Sequence, residues 1–417
     1  MKEKTMQTLQ PARGTNDLMP LDKARHNHVA ETAKKVAAGF GFQDMATPIF
    51  EFTDVFSRPL GDASDVVSKE TYSFEDRGGT ALTLRPENTA AVMRAVISNG
   101  LTQTLPQKYF YAGPMFRYER PQKGRMRQFH QIGVELIGPS SALADAEVIA
   151  CGADLLSDLG VLEHCVLHLN SLGDSASRNA YRTALVDYLA RYSADLSEDS
   201  QRRLSQNPLR ILDSKDEGDR KIIQDAPRLS AYLNDASKAH YDLLCDALDK
   251  AGIAFVADPL LVRGLDYYCH TAFEFITDAL GAQGTVLGGG RYDGLAEMLG
   301  GPSLPAVGFA AGIERLSLLI DEPALAVPDV ALITMDKELE ADGFALASRL
   351  RRHGVSVDMP FSGNVTKKMK RADKQGTAFV ILLGSDEWAS GAVQLKSLAT
   401  GETETMAVDA LISRLTS

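Results

Sequence analysis

The chain has 417 residues, of which 44% are hydrophobic and 24% charged, and a formal charge of −11. With roughly 150 residues per domain, this length predicts two or three domains, and the composition excludes a disordered, collagenous or membrane-embedded chain. The acidic balance argues against non-specific coating of nucleic acid, but it does not exclude a local basic site.

The N-terminal part of the chain predicts one helix followed by short antiparallel strands. Its first segment, MKEKTMQTLQPARG, lacks the apolar core of a signal peptide, so we expect a cytoplasmic protein without a membrane partner. Small apolar residues at helical spacing predict a helix that ends at Gly39 and Gly41. Turn residues then separate strands at 47–52, 71–74, 81–84, 108–117 and 129–137, with a helix at 87–97.

The rest of the chain predicts a helical insertion, further strands and a separate C-terminal module. Helix formers and charged residues dominate from about 174 to 251. Strand-like runs return at 273–276 and 285–287, and a helix is expected at 313–320. After two prolines, strands alternate with helices from Val330 onward, which is typical of a small α/β domain.

A basic loop is predicted between the strands on either side of residue 120. From Arg117 to Arg127 it contains five basic residues and one acid. Planar guanidinium groups bind phosphate oxygens through paired hydrogen bonds. A solvated hairpin is the alternative, but Phe116, Phe129 and Ile132 predict that the base of the loop is buried, where unpaired arginines would be costly. We therefore favour a site for a polyanion.

Other segments combine charge with turn residues or glycine. In LRPENT, Glu87 precedes a helix, and helix capping alone would explain it. RGLDYY, from Arg263 to Tyr268, is equally consistent with a surface turn and with a functional site. In GFAAGIER, Glu314 and Arg315 form either a structural ion pair or, through the arginine, a phosphate site. GGGRYDG lacks the features of a P-loop, so its glycines indicate close approach of a ligand or a strand.

The histidines and cysteines indicate neither a metal site nor a nucleophile. His26 and His28 lie on a helix that we expect to be exposed, and no third ligand has suitable spacing. His130 is better explained as a structural histidine. The four cysteines form no CxxC pair and have no adjacent base, so we expect reduced thiols, no structural metal and no covalent catalysis.

Together these segments resemble the class II aminoacyl-tRNA synthetases, and among them the histidyl-tRNA synthetases, over essentially the whole chain. RGTND, from Arg13 to Asp17, resembles the N-terminal RGxxD element of that family. FRYERPQKGRMRQFHQ resembles its motif 2 and GFAAGIERL its motif 3. LVRGLDYY and GGGRYDGL resemble its two histidine-specific stretches. Each match alone would be weak, whereas all of them in order are hard to attribute to chance.

The resemblance implies a role for each matching residue. Arg117 would hold the ATP α-phosphate and the substrate carboxylate, and Arg315 would hold the far phosphates. Arg263 would act beside the α-phosphate. These three arginines would be catalytic, and Glu119 would also belong to the ATP site. Joining a carboxylate to a phosphate brings two anions together, so positioned cations should dominate catalysis. The histidine substrate would contact Arg117 and Arg263, with Glu87, Asn88, Thr89, Gln131, Glu135, Tyr267, Tyr268 and Tyr292 around its amino group and imidazole.

The resemblance also implies an architecture and partners. We expect an α+β catalytic domain with an antiparallel sheet of six or seven strands, divided by the helical insertion, and a C-terminal α/β anticodon-binding domain. The expected boundaries are 1–173 and 252–322 for the catalytic domain, 174–251 for the insertion and 328–417 for the last domain. The expected assembly is a homodimer that uses histidine, ATP with Mg²⁺, and tRNA(His); no Mg²⁺ ligand is assigned.

Two positions differ from the usual pattern of the family. Asn88 stands where the family usually has the glycine of RPEGT, and Asn tolerates positive φ better than most residues. Cys269 and His270 replace the commoner Asn-Arg after the paired tyrosines, a change that could alter the electrostatics of the cleft.

Basic residues are concentrated where tRNA is expected to bind, despite the acidic total. Binding to these clusters should weaken as salt concentration rises. The expected tRNA-binding residues are Gln122, Lys123 and Arg125 in the basic loop, and Lys367, Lys368, Lys370 and Arg371 in the C-terminal module.

Two other functions are compatible with parts of this pattern. A synthetase-like regulatory subunit of a histidine-biosynthetic phosphoribosyltransferase would bind histidine without ligase activity, but such proteins typically lack the anticodon-binding domain and lose the ATP and histidine motifs. An RNA-binding or stress-sensing module would not need Glu87, Glu135 and the paired tyrosines.

Overall fold

The computed structural model describes residues 8–60, 70–121, 124–262 and 267–416. The chain divides into two compact units, Met1–Pro323 and Ala324–Ser417. Each unit has its own hydrophobic cores. Within the described ranges, no helix is long and apolar enough to cross a membrane.

The first unit contains ten α-helices and eleven strands within its described residues. In chain order these are α1 (Pro20–Gly39), β1 (Gln43–Asp44), β2 (Phe50–Phe52), α2 (Asp54–Leu60), β3 (Tyr72–Glu75), β4 (Ala81–Leu84), α3 (Thr89–Ser98), β5 (Gln107–Phe116), β6 (Gln128–Ile137), α4 (Ala142–Asp158), β7 (Val166–Ser171), α5 (Ser175–Leu189), α6 (Glu198–Gln206), α7 (Glu217–Gln224), α8 (Asp235–Lys250), β8 (Val256–Ala257), β9 (Cys269–Ile276), β10 (Thr285–Arg291), α9 (Leu295–Met298), β11 (Ala306–Gly312) and α10 (Ile313–Ser317).

A sheet of eight strands forms the centre of this unit, in the order β1-β5-β6-β11-β10-β9-β7-β8. The six inner strands pair antiparallel, and the two-residue strands β1 and β8 add parallel edges. The expected antiparallel sheet is therefore confirmed, whereas the expected six or seven strands become eight. The helix expected at 313–320 ends earlier, at Ser317.

Side chains on the two faces of this sheet enter different cores, because successive residues of a strand point in opposite directions. In β9, Phe273 and Phe275 pack in a core with α1, α4 and α8, whereas Ala272 packs in a second core with α3 and the insertion. On α1, the residues Val29, Ala33 and Ala37 form the buried stripe, and the helix stops before Gly41, whose φ of 81° favours glycine.

Residues 174–251 are helical, as expected from their composition, and contain α5 to α8 together with short 3₁₀ turns. Asp219 lies at the centre of this segment and accepts hydrogen bonds from the hydroxyls of Ser200 and Ser214, each at 2.6 Å. Buried polar groups need such partners, so these bonds join α6 to α7.

The second unit is a mixed sheet with helices. It contains β12 (Val330–Thr334), α11 (Glu340–Arg352), β13 (Val357–Asp358), α12 (Val365–Lys374), β14 (Phe379–Leu383), α13 (Ser385–Ala389), β15 (Ala392–Ser397), β16 (Thr403–Ala407) and α14 (Val408–Thr416). The strand order is β13-β12-β14-β15-β16, parallel across the first three and antiparallel across the last three. The α/β module expected from residue 330 is confirmed.

A second, three-stranded sheet in the first unit has the order β2-β4-β3 and is antiparallel throughout. Its last strand in the chain, β4, is followed by α3, which begins at Thr89.

Candidate active site

A cavity of about 200 Å³ lies on the eight-stranded sheet, over β6, β10 and β11. Most of the residues expected in the site line it. These are Glu87, Thr89, Arg117, Glu119, Arg125, Gln131, Tyr267, Tyr268, Tyr292 and Arg315. Asn88 and Glu135 lie behind the cavity wall, and Arg263, Gln122 and Lys123 fall outside the described residues.

A cluster of arginines forms part of the cavity wall. The Nε of Arg117 donates to the Pro86 carbonyl at 2.8 Å, and its guanidinium lies 5.2 Å from the centre of the Phe129 ring. Glu119 is 3.8 Å from Arg117 and 3.2 Å from Arg125. Because Glu119 is the single acid between these arginines, the cluster retains positive charge and suits an anionic ligand.

Arg315 adds a third cation to this cluster. Its Nη1 donates to the Thr285 carbonyl at 2.6 Å. Burial and the nearby positive charges of Arg125 and Arg117 lower the pKa of Arg315, while Glu119 raises it. This repulsion between partly buried cations would be relieved by a phosphate oxygen, so the arrangement favours binding of a polyanion.

Glu87 and Thr89 form another part of the wall, and Glu87 is close enough to Arg117 for the two charges to interact. The Glu87 carboxylate accepts hydrogen bonds from the backbone N–H groups of Thr89 at 2.5 Å and Ala90 at 3.0 Å. It therefore caps α3, the simpler of the two explanations considered for it, and at the same time it lines the cavity. Burial raises the pKa of Glu87, although both N–H donors lower it.

Glu135 lies next to Thr89, on β6, and is fully buried. It accepts hydrogen bonds from the hydroxyls of Thr89 at 2.8 Å, Tyr111 at 3.4 Å and Tyr292. Burial raises the pKa of Glu135 to about 8, with a smaller contribution from the Glu87 charge. Burial therefore favours the protonated form of this carboxyl.

Three tyrosines complete the wall. The ring centre of Tyr267 is 4.9 Å from that of Tyr268 and 5.8 Å from that of Tyr292. The Tyr267 hydroxyl and the Gln131 Oε1 are buried and have no hydrogen-bond partner among the residues that the structure describes. Unsatisfied buried polar atoms are costly, so a polar ligand in the cavity would supply the missing bonds.

Glycines let the strands below the cavity come close together. A side chain at Gly308 would collide with the Glu135 carboxylate, and one at Gly289 would collide with the Gly308 carbonyl. The glycine run of β10 therefore allows both of the approaches considered for it, since Gly288 lines the cavity and Gly289 packs against β11.

The first departure from the family pattern has a structural explanation. Asn88 has a φ of −116°, so no positive φ is needed there, and its Oδ1 accepts from Thr47 at 2.7 Å and from Arg85 at 3.2 Å. His270, in the second departure, stacks on His240 with ring centres 4.9 Å apart, and nothing in the structure explains the residue types at Cys269 and His270.

His26 contradicts the expectation for its helix, because it is only 5% exposed. Its Nε2 lies 3.7 Å from Glu314 Oε1, and burial lowers the pKa of His26. His130 Nδ1 lies 2.9 Å from the same oxygen. Glu314 therefore interacts with two histidines rather than forming the structural ion pair with Arg315 that was one of the sequence alternatives.

The basic residues of the second unit form one side of α12. Lys367, Lys370 and Arg371 are exposed, while Val365, Met369 and Ala372 follow the opposite, core-facing stripe. Arg371 lies 3.5 Å from Asp358, and the helix N-cap is Asn364.

Some contributors to the site were missed from the sequence. The carbonyls of Pro86 and Thr285 orient Arg117 and Arg315, and a carbonyl has no sequence signal. Tyr111, which contacts Glu135, belongs to β5, and the register of β5 with β6 could have indicated it only after the pairing was known.

The comparisons with known proteins agree with this geometry. Residues 14–316 match the family described as histidyl-tRNA synthetase, and residues 329–417 match an anticodon binding domain. A histidine–tRNA ligase of Rhodospirillum rubrum is 56% identical over 97% of this chain and 98% of its own length. One from Gluconacetobacter diazotrophicus is 55% identical with the same coverage.

Solved structures agree as well. The apo histidyl-tRNA synthetase of S. aureus is 36% identical to this chain, with a TM-score of 0.82. The match covers 98% of this chain and 100% of the S. aureus chain. A Bacillus halodurans protein described as an ATP phosphoribosyltransferase regulatory subunit/histidyl-tRNA synthetase is 21% identical with a TM-score of 0.67. At that identity, the second likeness concerns the fold alone.

Proposed function

Because the chain belongs to the histidyl-tRNA synthetase family, it is a histidine–tRNA ligase, and we propose that the cavity on its eight-stranded sheet is where histidine and Mg-ATP react. The observation that carries this assignment is the composition of the cavity wall. Three arginines line the cavity together with carboxyl, hydroxyl and phenol groups. The arginines suit the triphosphate and the carboxylate of the amino acid, and the other groups suit its amino group and imidazole.

In the first step, a carboxylate oxygen of histidine forms a bond to the α-phosphorus, and the bond to the bridging oxygen of pyrophosphate breaks. Arg117 neutralises the carboxylate and α-phosphate as they approach, and Arg315 holds the phosphates that leave. No proton needs to move, so positioned cations supply the rate enhancement. Arg263 would be a further catalytic cation beside the α-phosphate. The histidyl group then passes to the 3′ end of tRNA.

The carboxyl, hydroxyl and phenol groups of the cavity select histidine. We assign the amino group to Glu87, Thr89 and Gln131, and the imidazole to Glu135, Tyr268 and Tyr292. A polar pocket rejects an analogue that lacks a hydrogen-bonding group, since its own buried groups are then left unpaired. The unpartnered hydroxyl of Tyr267 supports this assignment.

The full-length relatives and the anticodon-binding match favour the ligase over the regulatory-subunit alternative. We propose that tRNA(His) contacts the motif 2 loop through Gln122, Lys123 and Arg125. It would contact α12 through Lys367, Lys368, Lys370 and Arg371. The ligase would act in the cytoplasm.

We further propose a homodimer joined through the three-stranded sheet. Phe50, Phe52 and Phe74 are 53%, 62% and 46% exposed. Phe52 and Phe74 flank Leu82 across the sheet, so they share one face. A contiguous apolar face of this kind is unusual on a monomer, and a second copy would cover it through a two-fold interface.

The test of the site is histidine-dependent exchange of pyrophosphate into ATP. We expect Arg117→Ala and Arg315→Ala to lower kcat/KM by about 100-fold or more, as for loss of a positioned donor to developing charge. Arg202→Ala is the matched control, because Arg202 lies on the exposed side of α6 and pairs with Asp199. Full exchange by the Arg117 variant would refute the site, though not the family.

A further inference from the structure

The tertiary fold brings together a cluster of possible metal ligands that the reaction does not use. His26 comes from α1, His130 from β6 and Glu314 from α10. One ligand atom of each residue lies within 4.8 Å of the other two, and no other group of three or more such residues is this close in the described part of the chain.

We propose that His26, His130 and Glu314 form a binding site for one Zn²⁺ ion. Two imidazole nitrogens and one carboxylate oxygen are a donor set that Zn²⁺ prefers, with a fourth position left for water or another ligand.

Two of the three distances between the ligand atoms are close to those that the ion requires, and the third is within 4.8 Å. Zn–N and Zn–O bonds of about 2.0–2.2 Å in a tetrahedron place the ligand atoms roughly 3.3 Å apart. In the protein, Glu314 Oε1 is 2.9 Å from His130 Nδ1 and 3.7 Å from His26 Nε2. Small rotations of these side chains would therefore accommodate the ion.

Hydrogen bonding accounts for only part of this cluster. The 3.7 Å contact between His26 and Glu314 exceeds the 2.7–3.2 Å range of an N–H···O bond. The two imidazoles meet edge to face with ring centres 4.9 Å apart, and each has one nitrogen near Glu314 Oε1. A cation between them would join all three ligands at once.

The surroundings hold the ligands in place. His26 is 5% exposed, and the backbone N–H of His130 donates to both oxygens of Glu314, at 2.9 and 3.0 Å. A carboxylate has lone pairs remaining after these bonds. Such support of a ligand by a second group is typical of metal sites.

Occupancy would join three elements that are distant in the sequence. Because the ion would bind the folded arrangement alone, it would stabilise the first unit in proportion to its concentration. Glu314 precedes Arg315 and also lines the active-site cavity, so the ion would lie next to the cavity.

The test uses the full chain, freed of metal by dialysis and titrated with Zn²⁺ alone. We expect one ion per chain for the unmodified protein. His26→Ala removes a direct ligand, so it should weaken binding by more than the roughly 10- to 100-fold that loss of a group supporting a ligand costs. His28→Ala is the matched control, because it removes an exposed histidine two residues away on the same helix, and it should bind as the unmodified protein does.

Co²⁺ provides a readout that needs no variant. Four-coordinate Co²⁺ absorbs strongly in the visible range, and we expect this band to appear on titration and to disappear when Zn²⁺ is added. Absence of binding at about 100 µM Zn²⁺, or equal binding by His26→Ala and the unmodified protein, would overturn the proposal.

Discussion

At the scale of single residues, the chemistry of the site depends on neighbours that are remote in the chain. Glu135 is an ordinary carboxylate in the sequence, but three hydroxyls surround it in the fold and solvent does not reach it. Desolvation penalises the charged form of an acid. Its pKa is therefore about 8 rather than 4.5, which changes its protonation state at neutral pH.

This shift predicts how stability depends on pH. Folding opposes ionisation of Glu135, so the folded chain keeps a proton that the unfolded chain releases between pH 4.5 and about 8. The free energy of unfolding should then fall as the pH rises through this window. The Glu135→Gln variant has no carboxyl at this position to ionise, so its free energy of unfolding should not fall for this reason. We expect its Tm relative to the unmodified protein to be higher at pH 8 than at pH 5, by about 2 °C or more.

Thermal unfolding followed by circular dichroism at both pH values measures this difference. Glu31→Gln serves as the control, since Glu31 is exposed on α1 and should give the same Tm difference at both pH values. A Tm difference for Glu135→Gln that is independent of pH would contradict the buried, protonated carboxyl.

At the scale of elements, α12 shows how one helix divides its residues between core and solvent. Val365, Met369 and Ala372 repeat at helical spacing and face the sheet. The lysines on the other side cannot be buried, so they are available to phosphates. The sequence identified these cations, because their number in so short a segment is visible without a structure.

The helix predicts a specific loss of tRNA affinity. Replacing Lys367 and Lys370 by alanine should weaken tRNA binding. The slope of log K against the logarithm of the salt concentration should become less steep by about two. Pyrophosphate exchange, which needs no tRNA, should not change. Binding measured at several salt concentrations tests this expectation.

The matched control for this pair is Lys396→Ala with Arg414→Ala, which removes the same charge from β15 and α14. An equal loss of salt dependence in both double variants would mean that only net charge matters, and α12 would then not be the contact.

At the scale of the whole molecule, the exposed aromatic face predicts the oligomeric state. Phe52→Glu with Phe74→Glu places charges at the centre of the proposed two-fold interface. Central aromatic residues often contribute about 2 kcal/mol or more each, so we expect the dimer dissociation constant to rise by about 100-fold or more. Sedimentation velocity across a range of concentrations measures it.

Phe361→Glu is the control for that experiment, because Phe361 is 86% exposed but belongs to the second unit. It should leave the oligomeric state unchanged. If the variant with both Phe52 and Phe74 replaced is still a dimer, the dimer interface must lie on another surface.

The fold was largely predictable because local patterns specify it. Alternation and turn residues placed β4 at Ala81–Leu84 without error, and placed β5 and β6 within a residue at each end. Errors fell where a segment's end depends on packing. The helix after β11 stops at Ser317 although its sequence continues to be apolar, and edge strands of two residues are too short to leave a pattern.

The sequence by itself determined the family, the basic clusters and the candidate residues of the site, since these are properties of residue type and order. Only the tertiary structure decided which of those residues meet. It buried His26 beside His130 and Glu314, placed Asn88 on Thr47 and Arg85, and closed Tyr292 over Glu135. Such contacts join residues that are far apart in the chain, and desolvation, which sets the chemistry of each group, exists only after the chain has folded.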